Sequence, residues 1–169
     1  MGRELRMVPP NWEHPQRDTA GFVFGRYEKS FQPMRNRPFI EDMDAWISEY
    51  TLWREGNHPD QLSGEAEGYE EYIEWGGNPP QPEYYRPNWK PEEMTWYQVF
   101  ENVSEGTPVT PPFATREELV EYLVEYGDFW HQMRRKENVG MPCKPWARDY
   151  AYRFVFKDGF ALTSDVISK

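Results

Sequence analysis

Three histidines and one cysteine are the side chains of this 169-residue chain best suited to proton transfer, metal ligation or nucleophilic attack, and their spacing assembles none of these. His14, His58 and His131 stand far apart, outside any His-x-x-x-His or Glu-x-x-His pair on an expected helix, so each reads as a surface or capping residue. Cys143 lies in Met141-Pro142-Cys143-Lys144-Pro145, where Lys144 would favour the thiolate, but no signature supplies a paired histidine. Phosphate loops are missing too: there is no Gly-x-Gly-x-x-Gly and no Gly-x-x-x-x-Gly-Lys-Ser/Thr, and Gly76-Gly77 runs into prolines rather than a helix. The acidic pairs Glu70-Glu71, Glu92-Glu93 and Glu117-Glu118 are adjacent, and neighbours on a helix point in different directions, so they read as solvated faces. No catalytic, cofactor-binding or metal-ligating residue is expected, and no cofactor.

Two stretches remain as candidates. One is acidic. Residues 1–39 hold 7 Lys/Arg against 4 Asp/Glu, residues 40–105 hold 3 against 16, and residues 106–169 hold 9 against 9, so the net charge of −10 comes from the middle of the chain. Within it, Glu65, Glu67, Glu70, Glu71 and Glu74 form a candidate interaction surface. A field of that sign repels nucleic acid, since phosphate binding needs clustered Lys/Arg, and it suits a partner with a basic surface. The other stretch is the loop from Ser104 to Phe113, in which Ser104, Glu105, Gly106, Thr107 and Thr110 are candidate functional residues. Pro108, Pro111 and Pro112 stiffen it, and Gly106 permits a backbone conformation other residues resist. Exposed rings in Pro-rich segments, Trp12, Tyr84, Tyr85 and Trp89, could stack on a ligand, although rings beside prolines commonly staple loops to the body.

These candidates must be positioned by helices and strands that the pattern marks unevenly. Met43, Trp46, Ile47, Tyr50 and Trp53 give the spacing of an amphipathic helix from Glu41 to Glu55, closed by Gly56. A second helix is expected from Glu65 to Trp75, with Tyr69, Tyr72 and Ile73 inward and the glutamates outward. Asn78 to Pro91 is expected to be an extended surface segment, because its prolines forbid helix interior and central strand. Thr95 to Val103 is rich in aromatic and β-branched residues and reads as a strand. Thr115-Arg116-Glu117-Glu118 is a capping box that opens a helix bearing Leu119, Tyr122, Leu123 and Tyr126 on one face, closed by Gly127. Near the end, Tyr150, Tyr152, Phe154 and Phe156 alternate with other residues before Lys157-Asp158-Gly159 and Phe160-Ala161-Leu162, the pattern of a β-hairpin. Residues 1–40 carry five prolines and read as an N-terminal arm lying over the body, with a short strand at Glu4 to Val8. The expected fold is α+β: a small antiparallel sheet, two or three packed helices and long Pro-rich loops, as a single domain over 1–169 with its body at 41–169.

Composition bounds the setting. Aromatics make up 17% of the chain, which supplies a core although only 38% of residues are hydrophobic. A lone cysteine excludes an intramolecular disulfide and suits a reducing compartment. No signal peptide or apolar run of transmembrane length is seen, so a cytoplasmic protein without membrane contact is expected.

Two strings, Val8-Pro9-Pro10-Asn11-Trp12-Glu13-His14-Pro15 and Tyr97 to Phe113 with Thr115-Arg116-Glu117-Glu118-Leu119, resemble a family of small uncharacterised proteins of tailed bacteriophages and prophages. The resemblance covers roughly a fifth of the chain and carries no assigned catalytic residue. It implies an origin and no mechanism; given that origin, the acidic middle of the chain points to an accessory protein in the cytoplasm of an infected bacterium that binds a host or phage protein, for example an inhibitor of a defence system such as CRISPR-Cas or restriction. A small-molecule-binding protein or hydrolase with an aromatic-lined pocket, and a virion or assembly component, are the alternatives.

Overall fold

The structure, a computed structural model, describes residues 2–16, 31–102, 106–132 and 145–162. The chain forms two compact units, one made of Met1–Met34 with Trp89–Lys169 and the other of Arg35–Asn88.

The first unit is built on a four-stranded antiparallel sheet. Its strands are β1 (Gly2–Val8), β2 (Trp96–Glu101), β3 (Thr107–Pro108) and β4 (Phe160–Leu162), in the order β3-β2-β1-β4. β1 pairs with β2 from Arg3↔Glu101 to Val8↔Trp96, so Leu5 and Val99 share one face while Arg6 and Gln98 share the other. On the Val99 face lies the core: Leu119, Val120 and Leu123 from the helix Arg116–Glu125, and Tyr150, Ala151 and Phe154 from a later helix that starts at Arg148. The Arg116–Glu125 helix opens as its sequence dictates, with Glu118 N–H donating to Thr115 Oγ1 at 3.2 Å and Thr115 N–H to Glu118 Oε2 at 3.1 Å. On the opposite face, His14 meets the Phe100 ring edge-on at 5.6 Å, and Arg6 lies over that ring at 4.5 Å while donating to the Met34 carbonyl at 2.6 Å. Residues 9–16 and 31–34 thus cover a sheet face, but β1 itself is an inner strand rather than part of an overlying arm.

The C-terminal hairpin is replaced by a helix. Residues Arg148–Arg153 are α-helical and Phe154–Asp158 continue as a π-helical turn, after which Gly159, at φ 63°, leads into β4. The alternation of rings fits a strand, yet Tyr150/Phe154 and Ala151/Val155 are also i, i+4 pairs, and these four are the residues that become buried. Tyr152, the ring that only the strand pattern requires inside, is 51% exposed. Asp158-Gly159 therefore ends a helix instead of turning a hairpin.

The second unit carries three helices, α1 (Phe39–Arg54), α2 (Pro59–Ser63) and α3 (Tyr72–Gly76). In chain order, Arg116–Glu125 and Arg148–Arg153 of the first unit are then α4 and α5. The helix expected over Glu65 to Trp75 is interrupted: Gly64 and Gly68 adopt φ of 82° and 94°, and only Tyr72 onward is helical. The unit closes on rings: Trp53, Ala66 and Tyr72 are buried, with Trp46, Tyr50 and Trp75 packed against them. Its ends meet where Arg35 and Tyr85 form a parallel bridge, and the Tyr85 hydroxyl donates to Asp42 Oδ2 at 2.6 Å. The segment from Asn78 to Pro91, expected to be extended and pinned by its rings, makes a 3-10 turn at Pro82–Tyr84, and Tyr85 beside it is buried.

The fold is accordingly α+β. Among the described residues, no helix is long and apolar enough to cross a membrane.

Candidate functional site

Glu65, Glu67, Glu70, Glu71 and Glu74 are all exposed, and none makes an ion pair with another described residue. Indoles hold the backbone that carries them. Trp53 Nε1 donates to the Glu70 carbonyl at 3.2 Å, Trp75 Nε1 to Asp60 Oδ2 at 2.9 Å, and Trp46 Nε1 to the Gly77 carbonyl at 3.1 Å. His58 completes the frame by capping α2: its Nδ1 accepts from Asp60 N–H at 3.2 Å while Nε2 faces Glu49 at 3.0 Å. Burial raises the Tyr72 phenol pKa, and the charges of Glu49 and Asp60 raise it further. Arg35–Asn88 contain 12 Asp/Glu against 4 Lys/Arg, a net −8, on a small scaffold fixed by rings.

The stiff loop has a different fate. Ser104 and Glu105 lie outside the described residues, as does Cys143. Gly106, at φ 101°, is so close to the Met34 carbonyl that a Cβ would stand 2.1 Å from the oxygen. Thr107 pairs with Glu101 across β3 and β2. Thr110 is fully buried; its hydroxyl accepts from Val99 N–H at 3.0 Å and its carbonyl accepts from Gln98 Nε2 at 2.8 Å. Gly106, Thr107 and Thr110 thus tie the loop to the sheet. Trp12 and Trp89 pack on each other with centroids 4.6 Å apart, and Tyr84 is half-buried, so these rings staple loops.

A polar cluster that the spacing of the histidines concealed sits beneath the sheet. Arg3 on β1 donates from Nε to Asp128 Oδ2 at 2.8 Å and from Nη1 to Glu101 Oε2 at 3.4 Å, and Trp130 Nε1 donates to the same Glu101 oxygen. Asp128 Oδ1 accepts from His131 N–H at 3.1 Å and lies 2.6 Å from His131 Nδ1, so this nitrogen carries a proton and donates it to the carboxylate. Asp128 is fully buried, and burial alone would raise its pKa, but the hydrogen bond from His131 and the Arg3 guanidinium outweigh this and lower it. His131 is 3% exposed, and its Nε2 has no hydrogen-bond partner among the described residues. The signal for this pair was the Asp-x-x-His spacing just after Gly127. His14 is also buried; burial lowers its pKa, the Gln32 carbonyl contact at 2.6 Å opposes this, and Arg6 lowers it further.

No family model, curated protein or solved structure matches this chain. The bacteriophage resemblance therefore rests on the two sequence strings alone, and function has to be sought in the geometry. Besides the polar cluster, that geometry includes an open groove of about 840 Å³ between α4 and α5, with Val120, Tyr150, Tyr152 and Phe156 on its floor and the exposed pair Arg148–Glu121 at its rim. It shares no lining residue with the Asp128–His131 cluster. Among the described residues, no three His, Cys, Asp or Glu side chains are grouped to hold a metal ion.

Proposed function

We propose that this chain is a phage-type accessory protein that binds a host protein through the acidic surface of Arg35–Asn88, the partner presenting a basic surface such as the nucleic-acid groove of a CRISPR-Cas or restriction complex. The observation that supports this reading is the set of five exposed glutamates without ion-pair partners among the described residues, on a chain held by indole hydrogen bonds to the Glu70 and Gly77 carbonyls and to the Asp60 carboxylate. Charges that only aid solubility need no such support. Charges that must match a partner gain from a fixed placement, which lowers the ordering cost of binding and speeds encounter. Pull-down from lysate of the host, with the purified partner then titrated by surface plasmon resonance, tests this reading. Association should slow as salt rises, since exposed charges are screened within about 8 Å at physiological ionic strength. Reversing Glu67, Glu70, Glu71 and Glu74 to lysine should abolish it. Recovery of no partner, or binding unchanged by charge reversal, overturns the reading.

A second reading, a small-molecule binder or hydrolase, draws on the Asp128–His131 pair, whose Nε2 is a buried polar atom without a partner among the described residues. Such an atom invites a polar group from a ligand. Thermal shifts with nucleotides and sugars that depend on His131 would favour it, and their absence would exclude it.

A further inference from the structure

The acidic unit places its apolar side chains contrary to the usual rule. Rings and one alanine make its core. Arg35–Asn88 contain no valine, and their five isoleucine and leucine residues are all exposed: Ile40 by 58%, Ile47 by 45%, Leu52 by 36%, Leu62 by 72% and Ile73 by 47%. Isoleucine and leucine rank among the residues most often buried, so one exposed example is ordinary and an entire unit's complement is not.

One of the five, Ile73, lies in the acidic segment, and Leu62 lies three residues before it. α2 buries none of its residues, so Leu62 adds nothing to the core, and α3 buries only Tyr72, leaving Ile73 outside. Tyr69, 46% exposed, stands beside them in sequence and packs edge-on against Trp75 at 5.1 Å. Glutamates therefore alternate with apolar side chains along one pinned stretch. Nucleic acid, an anionic lipid surface and a second copy of this unit all repel a net −8. A purely polar cationic surface would satisfy the glutamates but leave Leu62 and Ile73 in water. Buried apolar anchors inside a charged rim are the usual arrangement of a protein interface.

We propose that the segment from Leu62 to Glu74 docks on a protein surface that combines apolar patches with Lys and Arg, Leu62 and Ile73 meeting the apolar parts and the glutamates the cations. This rests on the reading of the acidic unit as a protein-binding surface and adds the chemistry of the partner. Two synthetic peptides of equal length and charge test it, one of Lys and Ser and one an amphipathic helix of Lys and Leu, each titrated by fluorescence anisotropy against the full chain. The Lys/Leu peptide should bind at least about tenfold more tightly, a difference of about 1.4 kcal/mol. The double variant L62S/I73S should erase that preference while keeping the affinity for the Lys/Ser peptide and the melting temperature. L62S alone, at the most exposed of these positions, should reduce the preference and serves if the double variant unfolds. Equal affinity for the two peptides, or a preference that survives the substitutions, overturns this inference and leaves the acidic reading standing. Binding to neither peptide overturns both.

Discussion

Substituting Asp128 by Asn should cost about 3 kcal/mol of stability, the low end of the range for breaking a buried ion pair. The carboxylate serves two neighbours with two oxygens: Oδ2 accepts from Arg3 Nε at 2.8 Å, and Oδ1 takes the backbone and ring N–H groups of His131 at 3.1 and 2.6 Å. An asparagine that keeps its oxygen toward His131 turns its NH₂ toward Arg3, so two donors face each other and a buried guanidinium loses its better acceptor. Glu101, at 3.4 Å from Arg3 Nη1, retains part of the attraction, which is why the upper end of the range is not reached. With a urea m-value of about 2 kcal/mol/M, the unfolding midpoint should fall by about 1.5 M. Arg3→Met, combined with Asp128→Asn, completes the cycle: the double variant removes the donor clash, and the coupling energy should be about 2 kcal/mol. Coupling below about 0.5 kcal/mol, or a single-variant cost under about 1 kcal/mol, would refute the assignment of this pair as the anchor between β1 and the helical residues 129–132.

Gly106→Ala should destabilise the first unit by about 3 kcal/mol, since the new Cβ meets the Met34 carbonyl at 2.1 Å in a backbone conformation that disfavours side chains; urea unfolding measures it. Thr115→Ala should cost about 1 kcal/mol in the same assay through loss of the cap to Glu118 N–H, with little effect on m. For His14 the folded pKa lies below its ordinary value of 6.5, so the unfolded state binds the proton more readily. Its contribution is full above about pH 6.5 and is lost as pH falls through the folded value, with a slope of at most about 1.4 kcal/mol per pH unit. His14→Gln should flatten the stability profile below pH 6.5, and an unchanged profile would contradict the assignment.

What could be read in advance depended on whether one local pattern had a single solution. Thr115-Arg116-Glu117-Glu118 has one, because its two reciprocal hydrogen bonds form only at a helix start. The run from Trp96 to Glu101 is likewise unambiguous in its β-branched and aromatic content. Tyr150 to Phe156 has two solutions, and tertiary packing of Ala151 and Val155 against the core chose the helical one. Between Glu65 and Trp75 the glutamate and tyrosine spacing suggested a helix, but Gly68 at positive φ broke it, and the five glutamates became exposed without becoming a helix face. The Asp128–His131 half of the buried cluster had a local signal, an i, i+3 spacing, but His131 reads as a surface or capping residue when only histidine and glutamate pairs are sought. Its other half had none, since Arg3 and Glu101 are neighbours only through the register of β1 on β2.

The two units use acidic side chains in opposite ways, and this is what separates structural charge from functional charge in this chain. Outside Arg35–Asn88 the count is 15 Lys/Arg against 17 Asp/Glu, and the two carboxylates buried there, Glu101 and Asp128, share one guanidinium. Inside Arg35–Asn88, Asp42 near the start of α1 meets Arg35 and Arg37 beside the bridge between Arg35 and Tyr85. The glutamates from 65 to 74 have no such task, yet Trp53 and Trp75 fasten the chain that bears them. Rings that could have been replaced by leucine in an ordinary core carry an N–H that leucine lacks, and that N–H fixes the acidic loop. The aromatic core and the aliphatic exterior are therefore two sides of one arrangement: indoles inside hold the loop, which leaves leucine, isoleucine and glutamate side chains free for contact outside.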